Sequence, residues 1–217
     1  MTNDIKQLID AFQSGNEIKA KKIAVNLLKE NKSEEIIYNI YGSIFLKEGN
    51  YNKAIEIFKL GLKRNINAVG LMNNLAIAYK NIGRYKKSEK IFVQLLNITS
   101  IDSSILENYG NVLRILHKYH KAEEILIKAI KINQNNPAIY NNLGLVYSDS
   151  GRHDKAIANF KKSIELNENF FHSYYNLASS YYAIGDYKLS IEFNEKTLDL
   201  NPNFTDANYN LGLTYKK

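Results

Sequence analysis

Residues 137–170 read Pro137-Ala-Ile-Tyr-Asn-Asn-Leu-Gly-Leu-Val-Tyr-Ser-Asp-Ser-Gly-Arg-His-Asp-Lys-Ala-Ile-Ala-Asn-Phe-Lys-Lys-Ser-Ile-Glu-Leu-Asn-Glu-Asn-Phe170. Tyr140, Leu143, Gly144 and Tyr147 recur at i, i+3, i+4 and i+7, which is one stripe of an α-helix. Pro137 suits the first turn, where its missing N–H is not needed. Gly151 ends the helix, since a left-handed residue there is cheap only for glycine. A second stripe follows in Ala156, Ile157, Phe160, Ile164 and Leu166, before Asn167 and Asn169 break it. The stretch is a helical hairpin.

Outward from it, the same residues return every 34 positions without insertion or deletion. Counted in columns from Met1, column 15 holds Gly15, Gly49, Gly83, Gly151 and Gly185, and column 8 holds Gly42, Gly110, Gly144 and Gly212. Column 20 reads Ala20, Ala54, Ser88, Ala122, Ala156 and Ser190. Self-similarity at this period marks a solenoid, in which each unit buries its apolar face against its neighbours. The small columns 8 and 20 let paired helices approach closely, with Tyr140 and Phe160 filling the flanking space. The blocks fall at 1–34 (degenerate, with Leu8 and Ala11 in place of glycine and an aromatic), 35–68, 69–102, 103–136, 137–170 and 171–204, with 205–217 as the first helix of an incomplete repeat.

Composition narrows the function. There is no cysteine, so disulfides and thiolate metal sites are excluded. The N-terminus lacks a basic stretch followed by an apolar run, and no window offers the ~18 apolar residues of a membrane helix, so a soluble, cytoplasmic protein is expected. The net charge of +7 raises nucleic acid as a partner. Clusters such as Lys19–Lys22 and Arg84–Lys90, however, fall early in second helices, which predicts a solvated basic exterior and makes a phosphate track the weaker reading.

The chain resembles the tetratricopeptide repeat family. Leu143-Gly144-Leu145-Val146-Tyr147 matches that family's first-helix pattern, and Ala156-Ile157-Ala158-Asn159-Phe160 its second. Leu211-Gly212 with Tyr215, Ala54 with Phe58, and Pro202 at the inter-repeat position extend the match. The family's tryptophan column holds Tyr38, Met72, Leu106, Tyr140 and Tyr174 instead, and Gly61 occupies a column that the family usually fills with alanine, which implies looser packing in 35–68. The resemblance implies an all-α, right-handed superhelical solenoid of antiparallel helix hairpins. It also implies that columns 2, 5, 6, 9, 12 and 13 of each first helix line a concave groove.

Two residue sets stand out once the architecture is subtracted. Of 16 tyrosines, Tyr175, Tyr182 and Tyr209 alone lie outside columns 4, 7, 11 and 17. Tyr175 and Tyr182 share one helix face, and Tyr209 is the counterpart of Tyr175 one block on. Tyrosine offers apolar area and a hydroxyl together, which suits partner contact. Column 6 holds Asn74, Asn108, Asn142, Asn176 and Asn210, with Ile40 breaking the run. A primary amide donates and accepts, so a row of them can pair with the backbone of an extended peptide whatever its side chains. The row is similar to the asparagine ladder in the tetratricopeptide arrays of O-linked N-acetylglucosamine transferases. No Lys or Arg stands at columns 2, 5 or 6 from residue 35 onward, which argues against the two-carboxylate clamp of chaperone-binding relatives.

Catalysis finds little support. His117 and His120 have no paired acid or nucleophile, His153 replaces a turn tyrosine, and His172 sits at a groove column. No metal site, no cofactor and no enzymatic activity are expected. The expectation is a protein–protein interaction scaffold that holds an extended peptide segment at the five asparagines and three tyrosines. The alternatives are the substrate-recognition arm of a longer transferase continuing past Lys217, and RNA binding. The uncapped helix 205–217 also invites self-association.

Overall fold

The computed structural model describes residues 2–98 and 102–217. Met1 and the end of the 69–102 block, at residues 99–101, lie outside them. Among the described residues the protein is all-α, with 13 helices: α1 (Asn3–Gln13), α2 (Glu17–Lys29), α3 (Glu35–Lys47), α4 (Tyr51–Leu62), α5 (Val69–Asn81), α6 (Tyr85–Leu95), α7 (Ser103–Ile115), α8 (Tyr119–Ile132), α9 (Pro137–Asp149), α10 (His153–Leu166), α11 (Phe171–Ala183), α12 (Tyr187–Leu200) and α13 (Thr205–Thr214). None of them is long and apolar enough to cross a membrane. The chain divides into two compact units, Met1–Ile101 and Asp102–Lys217.

Each unit is a solenoid of hairpins. In the first, α1, α3 and α5 touch in succession; in the second, α7, α9, α11 and α13 do so. Within their units α2, α4, α8, α10 and α12 contact the helices before and after them in sequence, and among the described residues no two even helices touch. Each unit is therefore more tightly drawn on the side of its odd helices, and that side holds columns 2, 5, 6, 9, 12 and 13.

The hairpins close through column 24. Phe58, Phe92, Leu126 and Phe160 are all buried. Phe160 lies directly over Gly144, rather than beside it as the sequence suggests: a Cβ on Gly144 would fall 2.5 Å from Phe160 Cε1. Gly110 meets Leu126 in the same way, with 2.6 Å to Cγ. Gly61 corrects another expectation. A Cβ there would lie 2.6 Å from Leu71 Cδ1 and 2.8 Å from Tyr38 Cβ, so the absent side chain makes room for tight packing and not for slack.

Column 15 ends α1, α3, α5, α7, α9 and α11 in the left-handed region. Gly151 does so at φ 76° and His117, the one non-glycine of the column, at φ 57°. A side chain with a Cβ pays roughly 1 kcal/mol or more in that conformation. His117→Gly should therefore stabilise the second unit by about 1 kcal/mol, less whatever the contact of 2.7 Å between His117 Nδ1 and Tyr119 Oη contributes. A urea midpoint that rises relative to wild type checks it.

Toward the C-terminal end the interior turns polar. Column 24 becomes Asn194, fully buried, and Ser180, Ser190, Thr197 and Thr214 are buried around it. The aromatic ring moves one position earlier, to Phe193, which stacks on Tyr181 with centroids 5.6 Å apart and planes at 8°. Just past α13, Tyr215 is 64% exposed, whereas Tyr147 and Tyr181 at the same column are 7% exposed.

Candidate functional site

The five asparagines of column 6 are all half-buried on the odd helices. Asn74, Asn142, Asn176 and Asn210 are braced, in a manner the 34-residue alignment of columns does not reveal. In the first unit Asn74 Nδ2 donates to Asn39 Oδ1 at 2.7 Å, with Ser43 Oγ at 3.4 Å. In the second, Asn142 Nδ2 donates to Glu107 Oε1 at 3.0 Å and Asn176 Nδ2 to Asn141 Oδ1 at 2.8 Å. Each of these bonds runs from column 6 to column 5 of the preceding first helix. Asn210 departs from the pattern and donates to Ser179 Oγ at 3.3 Å, because Tyr175 occupies the acceptor's column.

The acceptors are fixed in turn. Asn141 is buried, and its Oδ1 also lies 3.1 Å from Ser173 Oγ. Ser163 Oγ donates to the Pro137 carbonyl at 2.7 Å, which leaves its oxygen to accept from Ser173 Oγ at 2.7 Å. Glu107 Oε2 takes a longer bond from Asn136 Nδ2 at 3.4 Å. The amides therefore sit in one orientation each. A primary amide has four bonding positions, and the bond to the neighbouring helix occupies one.

The three tyrosines separate. Tyr175 is half-buried, edge-on to Phe204 at 5.1 Å. Phe204 also meets Phe171 at 5.2 Å and His172 at 6.1 Å. Tyr175 thus joins an aromatic cluster built from Phe204 and Phe171 at columns 34 and 1, for which the repeat pattern suggested no role, and from His172 at groove column 2. Tyr182 is half-buried against Tyr187 at 5.6 Å. Tyr209 is 68% exposed.

Charge on the odd face is sparse and largely paired. Arg114 Nη1 donates to Asp149 Oδ2 at 2.6 Å, joining α7 to α9. Several cations of the second helices are structural: Lys59 and Lys87 lie over the Tyr79 ring at 5.8 and 5.7 Å, Lys121 over Tyr109 at 5.9 Å, and Lys161 over Tyr181 at 5.8 Å. The second helices thus use their lysines to cover tyrosine rings. Arg152 does the same over Tyr147 at 4.6 Å and pairs with Glu123 at 2.7 Å. Burial and the bond to Glu123 push the Tyr147 hydroxyl up to about 12. Burial alone would raise Glu123, but Arg152 and the Tyr147 hydroxyl hold its carboxyl below the ordinary value. These perturbed groups brace α8 against α9 and α10. Among the described residues no group of three or more His, Asp or Glu is placed to hold a metal ion.

Tetratricopeptide repeat family models match residues 36–65, 71–106, 102–169 and 136–203. Among curated proteins no sequence relative matches. Solved structures with the same fold include YrrB, described as a tetratricopeptide repeat protein with an unusual peptide-binding site, at 19% identity and TM-score 0.62 over 86% of this chain and 96% of that one. The Cut9–Hcn1 hetero-tetramer of the APC/C gives 18% identity and TM-score 0.81 over 96% of this chain and 41% of that one. MamA from Desulfovibrio magneticus RS-1 gives 20% identity and TM-score 0.67 over 78% and 96%.

Proposed function

The chain belongs to the tetratricopeptide repeat family, and on that premise we propose that it is a protein–protein interaction scaffold whose guest is an extended peptide segment. In the second unit the guest lies along α7, α9, α11 and α13, its backbone meeting Asn108, Asn142, Asn176 and Asn210 and its side chains meeting Tyr175, Tyr182 and Tyr209. Asn74 offers the same chemistry on the first unit. The observation that carries this reading is the bracing of the amides. Bonds of 3.0 Å from Asn142 and 2.8 Å from Asn176 hold each side chain in one rotamer, so the ordering cost is met before a guest arrives. Polar side chains facing a guest without a charged clamp favour backbone pairing over capture of a carboxylate. That YrrB is described as having a peptide-binding site agrees with the reading.

Peptide-library selection with wild type against Asn142→Ala/Asn176→Ala tests it. Two lost bonds at about 0.5–1.5 kcal/mol each predict affinity weaker by roughly 5- to 150-fold for the selected peptides. Equal binding by both proteins, with circular dichroism showing both folded, would remove the ladder. Affinity should fall little between 50 and 300 mM salt (about a twofold change at most), whereas a phosphate-bound partner would be lost steeply.

A further inference from the structure

The columns that fill the second unit's interior turn from apolar to polar toward its C-terminal end. Column 10 holds Val112 and Val146 on α7 and α9, then Ser180 and Thr214 on α11 and α13, all buried. Column 20 holds Ala122 and Ala156, then Ser190. In this region a cavity of about 100 Å³ opens between α11, α12 and α13, lined by Ser179, Tyr182, Ser190, Asn210 and Leu213. Four of these five occupy columns 6, 9 and 12, so the cavity belongs to the odd-helix face.

Its hydroxyl protons are already spent. Ser179 Oγ donates to the Tyr175 carbonyl at 3.0 Å and receives Asn210 Nδ2 at 3.3 Å. Thr214 Oγ1 donates to the Asn210 carbonyl at 2.7 Å, and Ser190 Oγ lies 3.4 Å from it. What remains for an occupant is mostly apolar: the Tyr182 ring, the Leu213 side chain and the serine methylenes, with the second N–H and the Oδ1 of Asn210 at one side for the guest's backbone. A polar group entering here would lose water and find few donors, whereas an aliphatic group loses nothing by leaving water. The volume suits a branched aliphatic side chain and is too small for an indole.

We propose that this cavity is a subsite for an aliphatic side chain, of leucine size, carried by the guest segment. The proposal rests on the peptide-binding reading above and gives that guest a sequence requirement, which a row of amides alone does not. Burying such a side chain is worth roughly 1.5–3 kcal/mol, or about 10- to 150-fold in affinity.

The test has two arms, each run on the full chain and on Ser179→Leu. The substitution puts at column 9 the residue that Leu145 and Leu213 already carry there, and so fills the cavity without a foreign shape. In the first arm, isobutanol serves as the probe and is titrated into ¹⁵N-labelled protein. Saturable shifts are expected at the Ser179, Ser190 and Leu213 amides of wild type, and apparent affinity weaker by about tenfold or more in Ser179→Leu. In the second arm, a random peptide library is selected on both proteins. Wild type should enrich peptides sharing one Leu, Ile or Val position, and Ser179→Leu should lose that preference. Absence of saturable shifts in wild type overturns the subsite whatever the peptides do. Enriched peptides without an aliphatic position, or the same position on both proteins, also overturn it while leaving the groove reading in place. Saturable isobutanol binding with no peptide enriched would sink the groove reading, and with it the guest assigned to the cavity.

Discussion

Phe160→Ala is expected to destabilise the second unit by about 3–5 kcal/mol, read as a lower urea midpoint at unchanged helical content before the transition. The ring is fully buried, and what it meets is backbone. Gly144 presents no side chain, and a Cβ built there would fall 2.5 Å from Phe160 Cε1. Truncating the ring therefore leaves a void walled on one side by the main chain of α9, which has no rotamer with which to fill it. The cost should lie at the upper end of the range for that reason. Gly144→Ala tests the geometry from the other side. In wild type it forces the ring aside and costs roughly 1–3 kcal/mol; in the Phe160→Ala background it enters an empty space and should cost about nothing or gain. Additive effects of the two substitutions would show that residue 144 and residue 160 do not meet. Because each hairpin is stabilised by its neighbours, the loss should spread to α8 and α11 as faster amide exchange.

How much of this was legible beforehand depends on which residues are considered. The hairpins and their order follow from columns 8, 15 and 20, since glycine and alanine at fixed phase state where helices end and where they touch. His117 shows the limit of reading by residue type. Nothing in a histidine favours φ 57°, and only its phase, 34 residues from Gly83 and Gly151, assigns that conformation. The braces of the amide row were harder to see for a geometric reason. Aligning blocks at a period of 34 stacks like upon like, whereas Asn142–Glu107 and Asn176–Asn141 join positions 35 apart. Twist between successive hairpins brings column 6 of one first helix over column 5 of the one before, and an alignment carries no twist. The cluster of Phe171, Phe204 and Tyr175 escaped for the same reason, being assembled from the end of one block and the start of another. Gly61 was misjudged because a missing methyl was counted as space; Leu71 and Tyr38 occupy it.

Asn194→Leu is expected to stabilise the protein by about 2 kcal/mol or more. Asn194 stands at the column where Phe58, Phe92, Leu126 and Phe160 close the other hairpins, and it is just as fully buried. Its Nδ2 donates to the Ser190 carbonyl at 2.9 Å, but its Oδ1 is buried with no hydrogen-bond partner among the described residues. A buried acceptor left in that condition costs roughly 1–3 kcal/mol, and the bond on Nδ2 returns about 1 kcal/mol of it. Leucine removes the acceptor and adds apolar burial. Column 8 of this repeat holds Ala178, as it holds Ala76 in the repeat whose column 24 is the larger, buried Phe92, so a leucine is within the range of sizes that this pair of columns takes. The check is a thermal or urea transition at neutral pH, with Asn194→Asp beside it. The aspartate should lower the midpoint, because a buried carboxylate without a cation costs more than an amide. A leucine variant no more stable than wild type would mean that Asn194 Oδ1 is satisfied when the protein is in water. The polar group would then be a bonded member of the interior. The substitution also bears on the proposed subsite, since Ser190, one turn before Asn194, forms part of its wall. A stabilised Asn194→Leu that retains saturable isobutanol binding would show that the cavity is set by Ser179, Ser190 and Thr214, and not by looseness around column 24.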